Sequence, residues 1–342
     1  MKQKKVFVVL GVPRSGTSVI SRGIKALGID LGNMLTPANS EWNPKGFWED
    51  NEIVYKVNAR VLAALDRPWE SLRWFDAVST TDGKLHDIKQ FAAKLLEQRF
   101  SLTEYWSFKD PNTAKILPFW QSVFEMLSVE DHYIIAFRNP LSSAQSYHKL
   151  TDIDIEHGLL MWLIHMMAAV DGTQGKKRVL VSYDLLMKNP RLQLDRMKNN
   201  LAIPFTSDDA EINRYVNCFL DKKLHHYENS MEDLQHHPAI AVAPLCLKIY
   251  DLLSKIATDQ ITFEDNDFVS NWRNIKDNVD TILPIYLYID TLLQKNRLLR
   301  KSIRSLHKSR LWKIITPLRK IDDALRARRK RLHVKKSCIA NQ

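Results

Sequence analysis

An apolar, strand-forming run, Val6-Phe7-Val8-Val9-Leu10, empties into Gly11-Val12-Pro13-Arg14-Ser15-Gly16-Thr17-Ser18. Directly behind it Val19, Ile20, Ile24 and Leu27 recur at helical spacing until Gly28 stops the pattern. That order predicts a strand, a tight loop and a helix. Glycine at both ends lets the loop curl so that backbone N–H groups point inward, and the positive end of the helix faces the same spot, so the stretch is an anion site. Its spacing is that of a Walker A loop, Gly-x-x-x-x-Gly plus two residues, except that Thr17 stands where the lysine belongs. The group that reaches the β- and γ-phosphates is missing, which argues against a nucleoside triphosphate.

Three further strands follow. Tyr105 to Phe108 ends in Lys109-Asp110-Pro111; His132 to Phe137 ends in Arg138-Asn139-Pro140, where a Walker B strand would end in Asp to hold magnesium; Arg178 to Tyr183 follows a polar turn. Between them lie helical patterns over Asn51–Leu65, Leu85–Arg99 and Glu156–Val170, the last apolar nearly throughout, with His157 and His165 read as structural. Alternating strands and helices predict an α/β fold, a P-loop-like parallel sheet flanked by helices, with ligands at the carboxyl ends of its strands. The Gly11 loop, Lys109 and Arg138 all fall at such ends. Glu49, in the turn Asn43–Asp50 just before a helix start, fits two readings: a carboxylate that takes a proton from a substrate hydroxyl, or a complement to the helix N-terminus. Asp50, Glu52 and Asp110 compete with it for the first. Trp42, Phe47, Trp48, Trp69 and Trp74 divide between an acceptor groove and core or rim positions.

With these residues in this order, Lys5 to about Pro204 resembles the sulfotransferases, in which a Pro-Arg/Lys-Ser-Gly-Thr loop binds the 5′-phosphosulfate end of 3′-phosphoadenosine-5′-phosphosulfate (PAPS). The resemblance implies that Arg14, Ser15, Gly16, Thr17 and Ser18 hold the 5′ end. It implies that Arg138 and Ser146, eight residues apart, grip the 3′-phosphate, a task suited to arginine's planar fork. It also implies that Lys109, with Arg14, faces the transferring group, and that Glu49, in a Gly-aromatic-aromatic-Glu segment shared with bacterial members, is the base. The chain departs from the cytosolic branch in carrying Arg14 instead of lysine and in having no histidine two residues after Lys109, which favours a carboxylate base. The implied reaction moves a sulfuryl group to a carbohydrate or glycolipid hydroxyl, as in cell-surface polysaccharide synthesis, without a metal. A P-loop kinase for a small molecule and a non-catalytic adaptor are the competing readings.

Charge separates the end of the chain from its body. Lys295 to Lys336 holds 17 Lys/Arg against Asp322 and Asp323, so the rest of the chain is slightly acidic although the whole carries +11. That distribution points to an anionic membrane surface contacted through residues 308–336 rather than to nucleic acid; a solvated tail and an RNA-attracted one are the alternatives. Leu311, Ile314, Ile315 and Leu318 supply an apolar face there. The expected domains are 1–265 and a helical, basic C-terminal extension, 266–342. In the latter Ile275, Val279, Ile282, Tyr286, Ile289 and Leu293 form a short heptad seam interrupted by Pro284, suited to packing on the body or to a homo-oligomer. Cys218, Cys246 and Cys338 show no metal-ligand spacing, and no signal peptide is visible, so a reducing, cytoplasmic setting on the inner face of the membrane is expected.

Overall fold

The computed structural model describes residues 3–73, 83–205, 208–224, 226–309 and 312. Trp74, His225, Cys338 and nearly all of the 308–336 tail lie outside them. The strands are β1 (Lys5–Leu10), β2 (Tyr105–Lys109), β3 (Glu130–Phe137) and β4 (Lys177–Ser182). All pair in parallel in the order β2-β1-β3-β4, with Val9 opposite Lys109 and Leu10 opposite Ile135. A parallel sheet covered on both faces requires near-continuous apolar strands, which is what Val6–Leu10 supplies.

One face carries Phe7, Val9, Ile134 and Val181 against Ile20 and Ile24 of α1 (Thr17–Ala26) and against Leu194 and Met197, which belong to a later helix, Pro190–Asn200. The other face is aromatic: Trp106 and Phe108 stack at 5.4 Å, and Phe108 lies 4.9 Å from Trp120. Trp120 belongs to Leu117–Met126, one of the two helices between β2 and β4 that cover this face; the other is Ile155–Gly172. The helix expected over Asn51–Leu65 runs from Glu52 to Ala64, its first part, Glu52–Asn58, in the wider π geometry. His165 is fully buried, with Nδ1 2.7 Å from the Met161 carbonyl, and burial beside Lys115 pushes its pKa down to about 3.

The last helix, Asn266–Lys308, passes through Pro284 without a break. Contacts divide the chain inside it, into Met1–Pro284 and Ile285–Gln342, whereas the sequence reading places the boundary at 265/266. Its start belongs to the body because Trp272 Nε1 donates to Asp171 Oδ1 at 2.6 Å, Lys276 pairs with Asp171 at 3.1 Å, and the Trp272 ring stacks on Phe268. Ile275 and Val279 of the heptad seam are accordingly buried.

Candidate active site

The loop after β1 is held by its own geometry. Gly11, Arg14 and Gly16 all have positive φ (150°, 70° and 88°). At Gly16 a β-carbon would lie 2.3 Å from the Tyr183 ring, so glycine is required both for the left-handed backbone and for the close approach. Ser15, expected among the anion-holding residues, is fully buried; its N–H (3.2 Å) and hydroxyl (2.8 Å) both donate to the Val12 carbonyl and tie the turn. Gly16 gives α1 no side-chain cap, so the N–H groups of its first turn have no intrahelical partner, and Gly16, Thr17, Ser18 and Val19 line a cleft of about 240 Å³. No acidic residue stands in that first turn, leaving the positive end of the helix uncompensated.

Arg14 and Arg138 meet on the next side of the cleft. Arg14 Nε donates to Ser146 Oγ (3.1 Å) and NH1 to the Trp42 carbonyl (2.8 Å). Arg138, 6% exposed at the end of β3, donates to the carbonyls of Arg14 (3.0 Å) and Tyr227 (2.6 Å) and lies 4.7 Å over the Tyr183 ring. Its Nε is buried without a hydrogen-bond partner, and neither guanidinium forms an ion pair among the described residues. Burial pushes both pKa values down, and for Arg14 the neighbouring Arg138 adds to the effect. Two guanidinium groups drawn out of water and, among the described residues, hydrogen-bonded to neutral acceptors leave their charge available to an anion. Arg138 and Ser146, expected as a pair, are joined through Arg14.

Lys109 is 2% exposed, and its Nζ donates to Glu49 Oε1 at 2.5 Å and to Ser18 Oγ at 3.3 Å. Ser18 Oγ in turn donates to the Phe47 carbonyl (3.0 Å) and accepts from Asn43 Nδ2 (2.9 Å), fixing the 43–49 loop to the first turn of α1. Glu49 and Lys109 do not line the cleft themselves; Ser18 lines it and accepts from Lys109. Arg14 therefore groups with Arg138 and Ser146, and Lys109 with Glu49 and Ser18. The rival carboxylates are engaged elsewhere. Asp50 and Glu52 pair with Arg99 at 3.0 and 2.7 Å. Asp110 is buried, accepting from Asn58 Nδ2 (2.8 Å) and the Asn112 N–H (2.9 Å), and its pKa is pushed up to about 6 by burial and then by Glu49.

Of the aromatic candidates Trp42 lines the cleft. Trp48 instead packs edge-on to Phe219 at 5.7 Å, with Arg22 5.5 Å from its ring, and Trp69 offers its carbonyl to the buried Lys115 (2.7 Å). The far wall is built by Phe219, Leu220, Asp221, Leu224, His226 and Tyr227. The basic run at 221–226 hints at this segment, whereas Tyr227 carries no signal because it contributes only a carbonyl to Arg138. Tyr183 was likewise not singled out, although its place at the end of β4 is the position at which this fold puts ligand contacts.

No family model and no curated protein matches the chain. Among solved structures it is similar to the sulfotransferase domain of the Synechococcus PCC 7002 olefin synthase, at 16% identity over 81% of this chain and 96% of that one, with a TM-score of 0.41. It is similar also to the sulfotransferase domain from the curacin biosynthetic pathway, at 16% identity over 82% and 99% with a TM-score of 0.37. A third similar chain is a sulfotransferase from Mycobacterium tuberculosis H37Rv, at 14% identity over 71% and 76% with a TM-score of 0.34. By its own topology the protein is a parallel α/β fold with a glycine-bounded loop between its first strand and first helix.

Proposed function

We propose that this protein is a sulfotransferase that uses PAPS to sulfate a hydroxyl group, on a carbohydrate or glycolipid acceptor. The observation that carries the reading is the buried Arg14–Arg138 pair, without a carboxylate partner among the described residues and with an orphaned Arg138 Nε, beside the uncapped start of α1. Two anion sites in one cleft suit a nucleotide with separate 5′ and 3′ phosphate groups. A magnesium-dependent P-loop enzyme presents Asp where β3 here ends in Arg138, and a lysine where Thr17 stands.

The residues fit the donor in three groups. The N–H groups of Thr17 and Ser18, with the Thr17 hydroxyl, would hold its 5′ end; Arg138, Arg14 and Ser146 would hold the 3′-phosphate. When bound, PAPS supplies an activated sulfuryl group on a phosphate leaving group. Lys109, buried and fixed, stabilises negative charge near Ser18 with little reorganisation, the condition under which a cation is worth several kcal/mol. Glu49 has one oxygen on Lys109 and is, of the four candidates Glu49, Asp50, Glu52 and Asp110, the one assigned to take the acceptor proton, since Asp50 and Glu52 are bound by Arg99 and Asp110 by Asn58.

Calorimetry with 3′-phosphoadenosine-5′-phosphate tests the reading: tight binding without magnesium, lost in Arg138→Ala, supports it. A magnesium-dependent ATPase or kinase activity that survives Arg138→Ala would replace it with the kinase reading. Failure to bind any adenine nucleotide would favour the adaptor.

A further inference from the structure

The second half of the last helix, Ile285–Lys308, exposes large apolar side chains that its own unit leaves in solvent. Tyr288 is 64%, Leu299 63%, Ile303 50% and Leu306 58% exposed. Spaced by 3, 4 and 7 residues, with Leu292 between them, they fall on one face of an α-helix. Arg297, Arg300, Lys301, Arg304 and Lys308 fall on the opposite face, and Lys295 stands at the edge of the apolar one, a position from which a lysine can keep its head in water. From Thr291 to Ile321 the chain holds ten Lys/Arg and no Asp or Glu.

We infer that residues 285–308 are an interfacial helix that lies on an anionic phospholipid surface and tethers the protein there, so that membrane contact begins within this helix and not only in the tail after it. Burying apolar side chains in the headgroup boundary and drawing Lys/Arg to anionic lipid are the two contributions that hold such helices, each basic residue near the surface adding about 1 kcal/mol. A helix is about 10–12 Å across, more than the screening length of about 8 Å at physiological salt, so the pull of the surface on its polar-face cations is reduced there and grows as salt is lowered. The same charge disfavours a second copy as occupant: pairing two of these helices sets like charges side by side, and Asp290, buried at the start of the segment and accepting from Gln294, is the one carboxylate between Ile285 and Lys308. Among the described residues no helix is long and apolar enough to cross a membrane, which fits a helix that lies on the bilayer.

The test is co-sedimentation of the full chain with phosphatidylcholine vesicles, with and without about 30 mol % phosphatidylglycerol, at about 0.1 M salt. The full chain is expected to sediment only with the anionic vesicles. Leu299→Gln with Leu306→Gln should weaken partitioning by about tenfold or more, and Arg300→Gln with Arg304→Gln should weaken it and flatten its salt dependence. Both variants alter exposed positions, and unchanged helicity and unchanged nucleotide binding confirm that they fold. A polarity-sensitive dye on Leu306→Cys, in a Cys218→Ser, Cys338→Ser background that leaves only the buried Cys246, should blue-shift with anionic vesicles. Unchanged partitioning of the leucine variant would overturn the inference in favour of charge adsorption alone. Equal binding to neutral vesicles, a leucine-dependent dimer without vesicle binding, or RNA binding that the leucine variant retains would each overturn it too.

Discussion

Replacing Arg138 with lysine keeps a positive charge at the end of β3 but removes the fork. In the free protein the guanidinium donates to the carbonyls of Arg14 (3.0 Å) and Tyr227 (2.6 Å), with Nε still unpaired. An ammonium on a shorter planar reach serves one carbonyl, and the other loses a bond worth about 1 kcal/mol; in a body of this size that lowers the melting temperature by about 2–4 °C. The larger effect is on the ligand. Charge-assisted hydrogen bonds contribute about 1.5–3 kcal/mol each, and lysine retains the charge and one bond, so the net loss at a 3′-phosphate is about 2–3 kcal/mol. Calorimetry should show affinity for 3′-phosphoadenosine-5′-phosphate falling roughly 30- to 150-fold, while affinity for adenosine 5′-monophosphate changes by less than about threefold. Equal weakening of both nucleotides would mean that Arg138 supports the loop as a whole and reads no 3′ group. No change in either would remove the arginine pair from the binding site.

Three further outcomes follow from particular contacts. Glu49→Gln should leave nucleotide affinity nearly intact and slow single-turnover sulfation by about 10²–10⁴, the range of general-base catalysis; undiminished turnover would shift the role to Asp110 or its neighbours. Gly16→Ala places a methyl group 2.3 Å from the Tyr183 ring at a φ of 88°, so thermal unfolding should show a loss of about 2–4 kcal/mol. The double variant with Tyr183→Ala should recover only part of it, since the backbone strain remains; full recovery would show that the clash alone matters. Asp110, with a folded pKa of about 6 against an unfolded value near 3.8, binds more protons in the native state between those values. It therefore makes stability fall as pH rises from about 4 to about 6, by at most about 3 kcal/mol, and an Asp110→Asn variant should lack that decline in denaturant titrations. Buried His165, its pKa pushed down to about 3 chiefly by desolvation, contributes the opposite slope in the same window, so the difference between wild type and variant is the quantity to read.

The four strands were legible because a sheet covered on both faces needs unbroken apolar runs, and each run here is bounded by a turn or a charged residue. Lys109 and Arg138 were legible for a related reason. A charged residue closing a buried strand has one place to go, the carboxyl rim, and there the structure sets both. The aromatic candidates were less so: Trp42 and Trp48 stand six residues apart in one loop, yet one lines the cleft and the other packs on Phe219. Local composition does not distinguish them, because the difference is made by a segment more than 170 residues further on.

By itself the sequence determined the fold class, the glycine-bounded loop after the first strand, and the set of charged groups gathered at one rim, since these depend on periodicity, glycine placement and strand ends, all local properties. Only the tertiary structure decided how those groups are paired. Arg14 turns to Ser146 and the Trp42 carbonyl, Lys109 turns to Glu49, Ser15 is consumed by its own turn, and Arg99 draws Asp50 and Glu52 aside. Each choice is a competition among partners brought within about 3 Å by distant parts of the chain, and at that range burial and geometry, rather than residue type, select the partner.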